Sequence, residues 1–336
     1  RIAVVGELAD MANIGDTGSS AVRPAFVVTA LQGIQDFVGS EIAVDHIARD
    51  VLGAEDLALV EAADAVIVVT GLTSEDEGES IIGAGDRIDL GLSAERVKLI
   101  RDAAAANDRC IVVLEGGSAI TMGEWLPDIE ALLMAWYPGQ MGGHAIADLL
   151  FGDANPSGKL PLSFPKSLDQ LPPFDNQSLE VTYDYFHGYR YLDRNGSEPE
   201  FPFGFGLSYT TFSVVNLRGS QSQAKAGDVV RFSVDVTNTG PVAGAEVVQV
   251  YVTYPGSEVE RSERELKGFS KVFLEPGATQ TVDIEVPVND LAYYDVAAAA
   301  WALEGLEHAV HAGTSSRDLP LSTTLTVSAA RPVSVY

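Results

Sequence analysis

The chain has 336 residues, of which 46% are hydrophobic, and its 48 acidic against 21 basic side chains give a formal net charge of -27. This charge repels nucleic-acid phosphates and anionic lipids, and no apolar run approaches the roughly 20 residues that cross a bilayer, so neither nucleic acid nor a membrane is an expected partner. The length exceeds what one hydrophobic core usually organises and predicts two domains.

The first predicted strand starts at Ile2, directly after the first residue of the chain. No initiator methionine, charged leader or signal-peptide hydrophobic stretch precedes it, so we expect that an upstream segment has been removed. Asn176 and Asn195 each begin a glycosylation sequon, a pattern that is common by chance. We favour a bacterial periplasmic or secreted location over a cytoplasmic one.

Residues 1–165 alternate short apolar runs with alanine-rich segments of helical period. This alternation is typical of βα units on a mostly parallel sheet whose two faces are covered by helices. The predicted strands are Ile2 to Val5, Ala65 to Val69 and Ile111 to Leu114, and the predicted helices are Leu31 to Phe37, Ala94 to Ala106 and Gly142 to Phe151. Ser93 is placed to cap the second of these helices, in which Val97, Ile100 and Ala104 share one face.

In open α/β sheets, functional residues gather on the loops that leave the carboxyl ends of the strands. The loop after Ala65 to Thr70 carries four carboxylates in five positions, Glu75, Asp76, Glu77 and Glu79. Clustered carboxylates raise one another's pKa, and a carboxyl that stays protonated can donate a proton to a departing oxygen. From spacing alone, a solvated loop or a calcium-binding loop explains the cluster better than catalysis does.

The rest of the chain changes character twice. Residues 166–220 are rich in proline, glycine and aromatic residues without a long period, which predicts a wrapping connector. Residues 221–336 contain short alternating runs separated by turn signals, which predicts an all-β sandwich. The predicted strands are Val229 to Val236, Glu246 to Thr253, Lys271 to Leu274, Thr279 to Val286 and Leu321 to Val327.

The sequence offers little for metal or disulfide chemistry. Cys110 is the single cysteine, so no internal disulfide forms, and its apolar surroundings place it in a buried strand. The five histidines are scattered without metal-ligand spacing. We therefore expect no metal and no cofactor.

Several motifs occur in the order found in glycoside hydrolase family 3, and together they span nearly the whole chain. They are Gly15-Asp16-Thr17-Gly18-Ser19, Gly85-Asp86-Arg87, Leu114-Glu115-Gly116-Gly117-Ser118, Trp136-Tyr137-Pro138-Gly139-Gln140, Asn155-Pro156-Ser157-Gly158-Lys159, Phe203-Gly204-Phe205-Gly206 and Glu265-Leu266-Lys267-Gly268-Phe269. The chain thus resembles the second half of that family. The resemblance implies a six-stranded α/β sandwich domain over residues 1–165 and a fibronectin-III-like sandwich over residues 221–336.

The resemblance also implies a retaining, exo-acting β-glycosidase. One carboxylate attacks the anomeric carbon, and a second protonates the leaving oxygen and later activates water. The family takes its nucleophile from a TIM barrel, which needs about 250 residues and is absent here, as are the family's nucleophile and Lys-His signatures. We therefore expect no nucleophile in this chain and expect the barrel, on a separate chain or a removed segment, as its partner. A β-glucoside is the first expected substrate, as an oligosaccharide or aryl glycoside, and a β-xyloside is the second.

The family's acid/base maps best onto Glu77, because Glu77-Gly78 followed by Gly85-Asp86-Arg87 resembles the family pattern. Glu75 is the runner-up, followed by Glu79. Asp86 and Arg87 are expected to support the loop as an ion pair. The alternative to an enzyme half is a non-catalytic carbohydrate-binding or scaffold module, whose glycan affinity would survive Glu77→Gln. The oligomeric state stays open, with a homodimer among the alternatives.

Overall fold

The computed structural model describes residues 1–15, 21–78 and 87–334. The chain divides into two compact units, Arg1–Ala154 with Phe164–Thr182, and Asn155–Ser163 with Tyr183–Tyr336. The domain boundaries after residues 165 and 220 stay a prediction from sequence.

The first unit is an α/β fold around one parallel sheet. Its elements are β1 Ile2–Val5, α1 Ala30–Val38, β2 Val44–Ile47, α2 Ala54–Glu61, β3 Ala65–Gly71, α3 Ala94–Ala106, β4 Cys110–Glu115, β5 Ala131–Trp136 and α4 Gly142–Phe151. The strand order is β2-β1-β3-β4-β5, and every neighbouring pair is parallel. The predicted fold class is confirmed, but the sheet has five strands within the described residues where six were expected.

Both faces of this sheet are buried, which explains the continuous apolar runs of its central strands. Ile34 of α1 and Ile146 of α4 join one core cluster with Val4 and Val113. Residues that point the other way are buried as well, among them Val68. Cys110 is buried in β4, as predicted, and its burial raises the pKa of its thiol to about 12, so the thiol is inert.

The three helices predicted from periodicity are confirmed, because α1, α3 and α4 coincide with the predicted segments within a residue. Ser93 caps α3 as expected, with its Oγ accepting a hydrogen bond from the Arg96 backbone N–H at 3.3 Å. Ile100 and Ala104 of the predicted face are buried, while Val97 is only half-buried.

The second unit is a mostly antiparallel β-sandwich preceded by a short helix. Its elements are α5 Tyr189–Arg194, β6 Phe212–Gly219, β7 Gln223–Ala224, β8 Val229–Asn238, β9 Gly244–Val252, β10 Glu265–Leu274, β11 Thr279–Pro287, β12 Tyr293–Asp295, β13 Ala300–Ala302, β14 Glu307–Gly313 and β15 Leu321–Val327. The two larger sheets run β10-β9-β14-β15-β7 and β11-β8-β6, and β12 pairs with β13. Strands β7 and β15 pair in parallel. Inward side chains of both sheets, such as Phe232 and Val250, form one core. The predicted all-β sandwich is confirmed.

Candidate active site

Three neighbouring strands of the parallel sheet end at one edge, and their following segments are joined by backbone hydrogen bonds. The Leu72 N–H, just after β3, donates to the carbonyl of Glu115 at the end of β4, at 2.8 Å. The Gly116 N–H donates to the carbonyl of Trp136, the last residue of β5, at 3.2 Å. The loops that follow these strands are therefore adjacent, at the edge where functional residues gather in open α/β sheets.

The Glu77 carboxyl is held by donors from the two neighbouring loops. The Gly117 N–H lies 3.2 Å from Oε1 and 3.1 Å from Oε2. The Ser118 hydroxyl donates to Oε1 at 2.5 Å, and the Tyr137 hydroxyl donates to Oε2. We call Gly117, Ser118 and Tyr137 the Glu77 cradle. Donors from two sides fix where the Glu77 carboxyl lies.

Glycine at position 117 is required for this arrangement. A Cβ atom there would lie 2.8 Å from the Glu77 Oε2 and 2.8 Å from Cε2 of Tyr137. Separations this short force something to move, so any side chain at 117 displaces either the carboxyl or the tyrosine ring. The Gly116-Gly117-Ser118 motif thus contributes a close approach and two hydrogen-bond donors.

Arg87 contacts the cradle from outside. Its Nη1 donates to the Ser118 hydroxyl oxygen at 2.8 Å and to the Ala119 carbonyl at 3.3 Å. Burial lowers the pKa of the guanidinium, while the negative charge of Glu77 opposes that shift. Arg87 touches the same hydroxyl that donates to Glu77, and its loop-supporting role stays a prediction. Its expected partner Asp86 lies outside the described residues.

The two alternative acids are placed differently from Glu77. Glu75 is exposed on the turn that ends with Gly78, whose N–H donates to the Glu75 carbonyl at 3.3 Å. Glu79 lies outside the described residues. Of the three candidates, Glu77 has described contacts with the loops after β4 and β5, while its role as acid/base stays a prediction.

Sequence reasoning missed Arg96, which fixes the start of the acidic loop. From the first turn of α3, its Nη1 donates to the Gly71 carbonyl at 2.9 Å and to Asp76 Oδ2 at 2.7 Å, and its Nε lies 3.5 Å from Asp50 Oδ2. Burial alone would raise the pKa of Asp76, but hydrogen bonds from Arg96 and Thr73 outweigh it and lower the pKa. The Arg96–Asp76 pair therefore contributes fully above about pH 4 and is lost as the pH falls through the lowered pKa.

We expect Arg96→Ala to release the acidic loop. The substitution removes the guanidinium that contacts the Asp76 and Asp50 carboxylates and the Gly71 carbonyl. We expect the free energy of unfolding to fall by only about 1 kcal/mol, because Asp76 is partly solvated. Hydrogen exchange should show faster exchange at the Glu77 amide, which donates to the Thr73 carbonyl at 3.1 Å. Arg101→Ala on the same helix is the control, since that side chain is 60% exposed and lies 3.6 Å from Asp128. Equal exchange in both variants would contradict the assignment.

A second missed residue is Glu115, a carboxyl at the end of β4 that is only 3% exposed. Burial raises its pKa to about 8, although a hydrogen bond from Asn13 opposes the shift. A pKa near 8 leaves the Glu115 carboxyl mostly protonated at pH 7. A glutamate that ends a continuous apolar run was the available signal.

The family model described as the glycosyl hydrolase family 3 C-terminal domain matches residues 1–209. The chain belongs to glycosyl hydrolase family 3. A second model, the fibronectin type III-like domain, matches residues 246–316. Both halves of the family resemblance stated from the sequence are thereby confirmed.

Curated relatives of this family 3 chain are named as glycosidases. An exo-alpha-(1->6)-L-arabinopyranosidase of Bifidobacterium breve is 36% identical over 97% of this chain and 44% of the relative. The thermostable beta-glucosidase B of Acetivibrio thermocellus is 34% identical, again over 97% of this chain and 44% of the relative. The chain thus spans somewhat less than half the length of these relatives.

Solved structures show the same partial coverage. The GH3 beta-glucosidase of Bifidobacterium adolescentis superposes with a TM-score of 0.86 at 32% identity, over all of this chain and 51% of that one. The beta-D-glucoside glucohydrolase of Trichoderma reesei gives a TM-score of 0.88 at 30% identity, over 97% of this chain and 51% of that one. About half of each neighbour has no counterpart in this family 3 chain.

In residues 1–15, 21–78 and 87–334, no group of three or more His, Cys, Asp or Glu side chains is arranged to hold a metal ion. No helix in the described part of the chain is long and apolar enough to cross a bilayer.

Proposed function

We propose that this chain supplies the general acid/base of a retaining β-glycosidase, first of all a β-glucosidase, and that Glu77 is that residue. The observation that carries the proposal is the Glu77 carboxyl, held by the Gly117, Ser118 and Tyr137 donors at the carboxyl edge of the sheet of a family 3 chain. A proton-transfer group has to be held in a fixed position to act on a bound substrate, and the cradle supplies that position.

The proposed reaction has two steps. In the first, the nucleophile on the barrel attacks the anomeric carbon, the glycosidic C–O bond breaks, and Glu77 gives its proton to the departing oxygen. In the second, Glu77 takes a proton from water as that water attacks the anomeric carbon and displaces the nucleophile. The two carboxyl groups of a retaining enzyme lie roughly 5 to 5.5 Å apart, so the loop of Glu77 has to reach the mouth of the barrel.

The partner in this proposal is a TIM-barrel domain, encoded either in the same protein or on a separate chain. The lengths of the relatives favour it, because the chain covers 44% of the Bifidobacterium breve relative and 51% of the Bifidobacterium adolescentis structure. The half of each of these proteins that has no counterpart in this chain leaves room for a barrel, which needs about 250 residues. The barrel would supply the nucleophile and most contacts to the terminal sugar.

The names of the relatives set the substrate panel. A β-glucoside comes first, because the Acetivibrio thermocellus relative is named a beta-glucosidase and the two structural neighbours carry that name or an equivalent one. An α-L-arabinopyranoside joins the panel, because a relative of 36% identity is named for that activity. A β-xyloside is kept from the sequence analysis as a third test substrate.

The test is hydrolysis of chromogenic aryl glycosides by this chain alone and after coexpression with its upstream barrel segment. We expect turnover only in the combined sample, with the highest kcat/KM on the β-glucoside. Turnover by the purified chain alone would place a nucleophile within these residues. Glycan binding by the chain, without turnover in either sample, would favour the carbohydrate-binding alternative.

A further inference from the structure

The buried Glu115 lies directly against the start of the loop that carries Glu77. Gly71, the last residue of β3, pairs with Glu115 across the sheet. A Cβ atom at Gly71 would lie 1.9 Å from the Glu115 carbonyl oxygen, so the two backbones are too close to leave room for a side chain at position 71. Leu72, the next residue, donates its N–H to that carbonyl oxygen at 2.8 Å. A displacement of Glu115 therefore also displaces Leu72, the first residue of the acidic loop.

Asn13 connects the Glu115 side chain to the same loop. Its Nδ2 donates to Glu115 Oε2 at 3.0 Å and to the Leu72 carbonyl oxygen at 3.0 Å. Asn13 is only 7% exposed, so both hydrogen bonds are shielded from water. One amide thus holds the Glu115 carboxyl and the first residue of the loop together.

The surroundings of Glu115 offer no described counter-charge. The described partner of the Glu115 carboxyl is the neutral amide of Asn13, and the partners of the Glu115 backbone at the end of β3 are Gly71 and Leu72. Charged groups with described contacts to the segments next to Glu115 include Arg96, which binds the Gly71 carbonyl, Glu77, which binds the Gly117 N–H, and Arg87, which binds the Ala119 carbonyl. Their described hydrogen bonds do not include the Glu115 carboxyl. Ionisation of Glu115 would therefore bury an uncompensated negative charge.

We propose that Glu115 is a positioning residue for Glu77, acting through Asn13 and Leu72 to hold the root of the acidic loop against the end of β4. This role rests on the proposed function only in that Glu77 is taken as the acid/base. The neutral Glu115 carboxyl is stable in this buried site. The ionised carboxylate has to be hydrated, so it draws water into the site. Since burial raises the pKa of Glu115 from 4.5 to about 8, the hold is fully present below pH 4.5, weakens as the pH rises above that value, and is lost as the pH passes through 8.

The test is the pH dependence of hydrogen exchange at the loop amides of the full 336-residue chain, corrected for intrinsic exchange. Between pH 7 and 9 a group with a pKa near 8 goes from about one-tenth to about nine-tenths ionised. We therefore expect protection at the Glu77 amide to fall about tenfold over this interval in the unmodified chain. Glu115→Gln, which fills the same space and stays neutral, should keep its protection across the interval.

Two controls bracket this result. Glu130→Gln replaces an exposed glutamate just before β5 and should follow the unmodified chain. Asn13→Ala removes the connecting amide and should lower protection at every pH. A carbon NMR titration of the Glu115 carboxyl needs no variant, and it keeps the proposal testable if Glu115→Gln does not fold. An ordinary pKa between 4 and 5, or the same pH course in Glu115→Gln and the unmodified chain, would overturn the proposal.

Failure of this proposal differs from failure of the proposed function. If Glu77 is not the acid/base, loop protection still follows Glu115, but kcat/KM of the complete enzyme does not follow the loop. If Glu115 is not a positioning residue, Glu77 variants still lose activity while loop protection is insensitive to pH near 8. The exchange and kinetic measurements therefore separate the two outcomes.

Discussion

Glu77→Gln in the complete enzyme is expected to lower kcat/KM for an unactivated β-linked disaccharide by about 10²- to 10⁴-fold. Glutamine keeps an oxygen and a similar shape in the Glu77 cradle but has no carboxyl proton to give. The loss should be much smaller for an aryl glycoside with a good leaving group, because such a group departs without protonation. Steady-state kinetics on both substrates measure the difference.

The controls for this experiment lie on the same loop and in the cradle. Glu75→Gln changes an exposed carboxyl two residues away and should alter kcat/KM by less than about threefold. Tyr137→Phe removes one donor to the Glu77 carboxyl and should lower kcat by less than Glu77→Gln does. Equal losses on activated and unactivated substrates, or a larger loss in Glu75→Gln, would reassign the acid/base.

Asp193→Ala should lower the free energy of unfolding by about 3–5 kcal/mol, the largest stability effect we expect. The Asp193 side chain is 1% exposed and pairs with Arg317 and with Arg264, whose Nε lies 3.3 Å from Oδ2. Removing the carboxylate leaves two largely buried guanidinium groups without their counter-charge. Urea unfolding of the chain, read by tryptophan fluorescence, measures the change.

The matched control for Asp193 uses the same arginine. Glu198 lies 3.6 Å from the Arg317 Nε, but its side chain is 71% exposed, so Glu198→Gln should cost less than about 1 kcal/mol. Asp193 belongs to α5, within the segment that the sequence analysis treats as a connector. A loss below 1 kcal/mol in Asp193→Ala would mean that this helix is held by other contacts.

The elements predicted best from sequence are those whose environment is uniform. Strands β1, β3 and β4 have both faces covered and read as continuous apolar runs. Strand β2 was missed because this edge strand reads Val44-Asp45-His46-Ile47, with polar residues at its centre. Strand β14 was missed because it carries two histidines, one of which, His308, is 1% exposed in the sandwich. A polar side chain that is buried by tertiary packing interrupts the apolar pattern of a strand, so the pattern no longer predicts that strand.

The site was predictable only in part, for a related reason. Glu77 was selected through family motifs, whereas spacing alone did not separate it from Glu75 or Glu79. Its partners Ser118 and Tyr137 lie 41 and 60 residues further along the chain. Both residues stand inside quoted motifs, but a motif does not state which side chains meet. Such contacts follow from the parallel order of β3, β4 and β5, which a single sequence does not specify.

Arg96 illustrates the same limit at the other end of the loop. Arg96 lies in the first turn of the predicted helix, where an arginine has no expected role and opposes the helix dipole. The structure gives it the Gly71 carbonyl and the carboxylates of Asp76 and Asp50 as partners. The binding energy of these contacts outweighs an unfavourable helix position, which only the tertiary structure reveals.

The most direct measurement of the central claim is product analysis of Glu77→Ala in the complete enzyme with azide. Without a base to activate water, the glycosyl-enzyme accumulates, and azide, which needs no deprotonation, can attack the anomeric carbon in its place. We predict that azide restores turnover of an activated aryl β-glucoside and that the product is β-glucosyl azide, which the unmodified enzyme does not form. Unchanged turnover without any azide product would contradict the assignment of Glu77 as the acid/base of this family 3 chain.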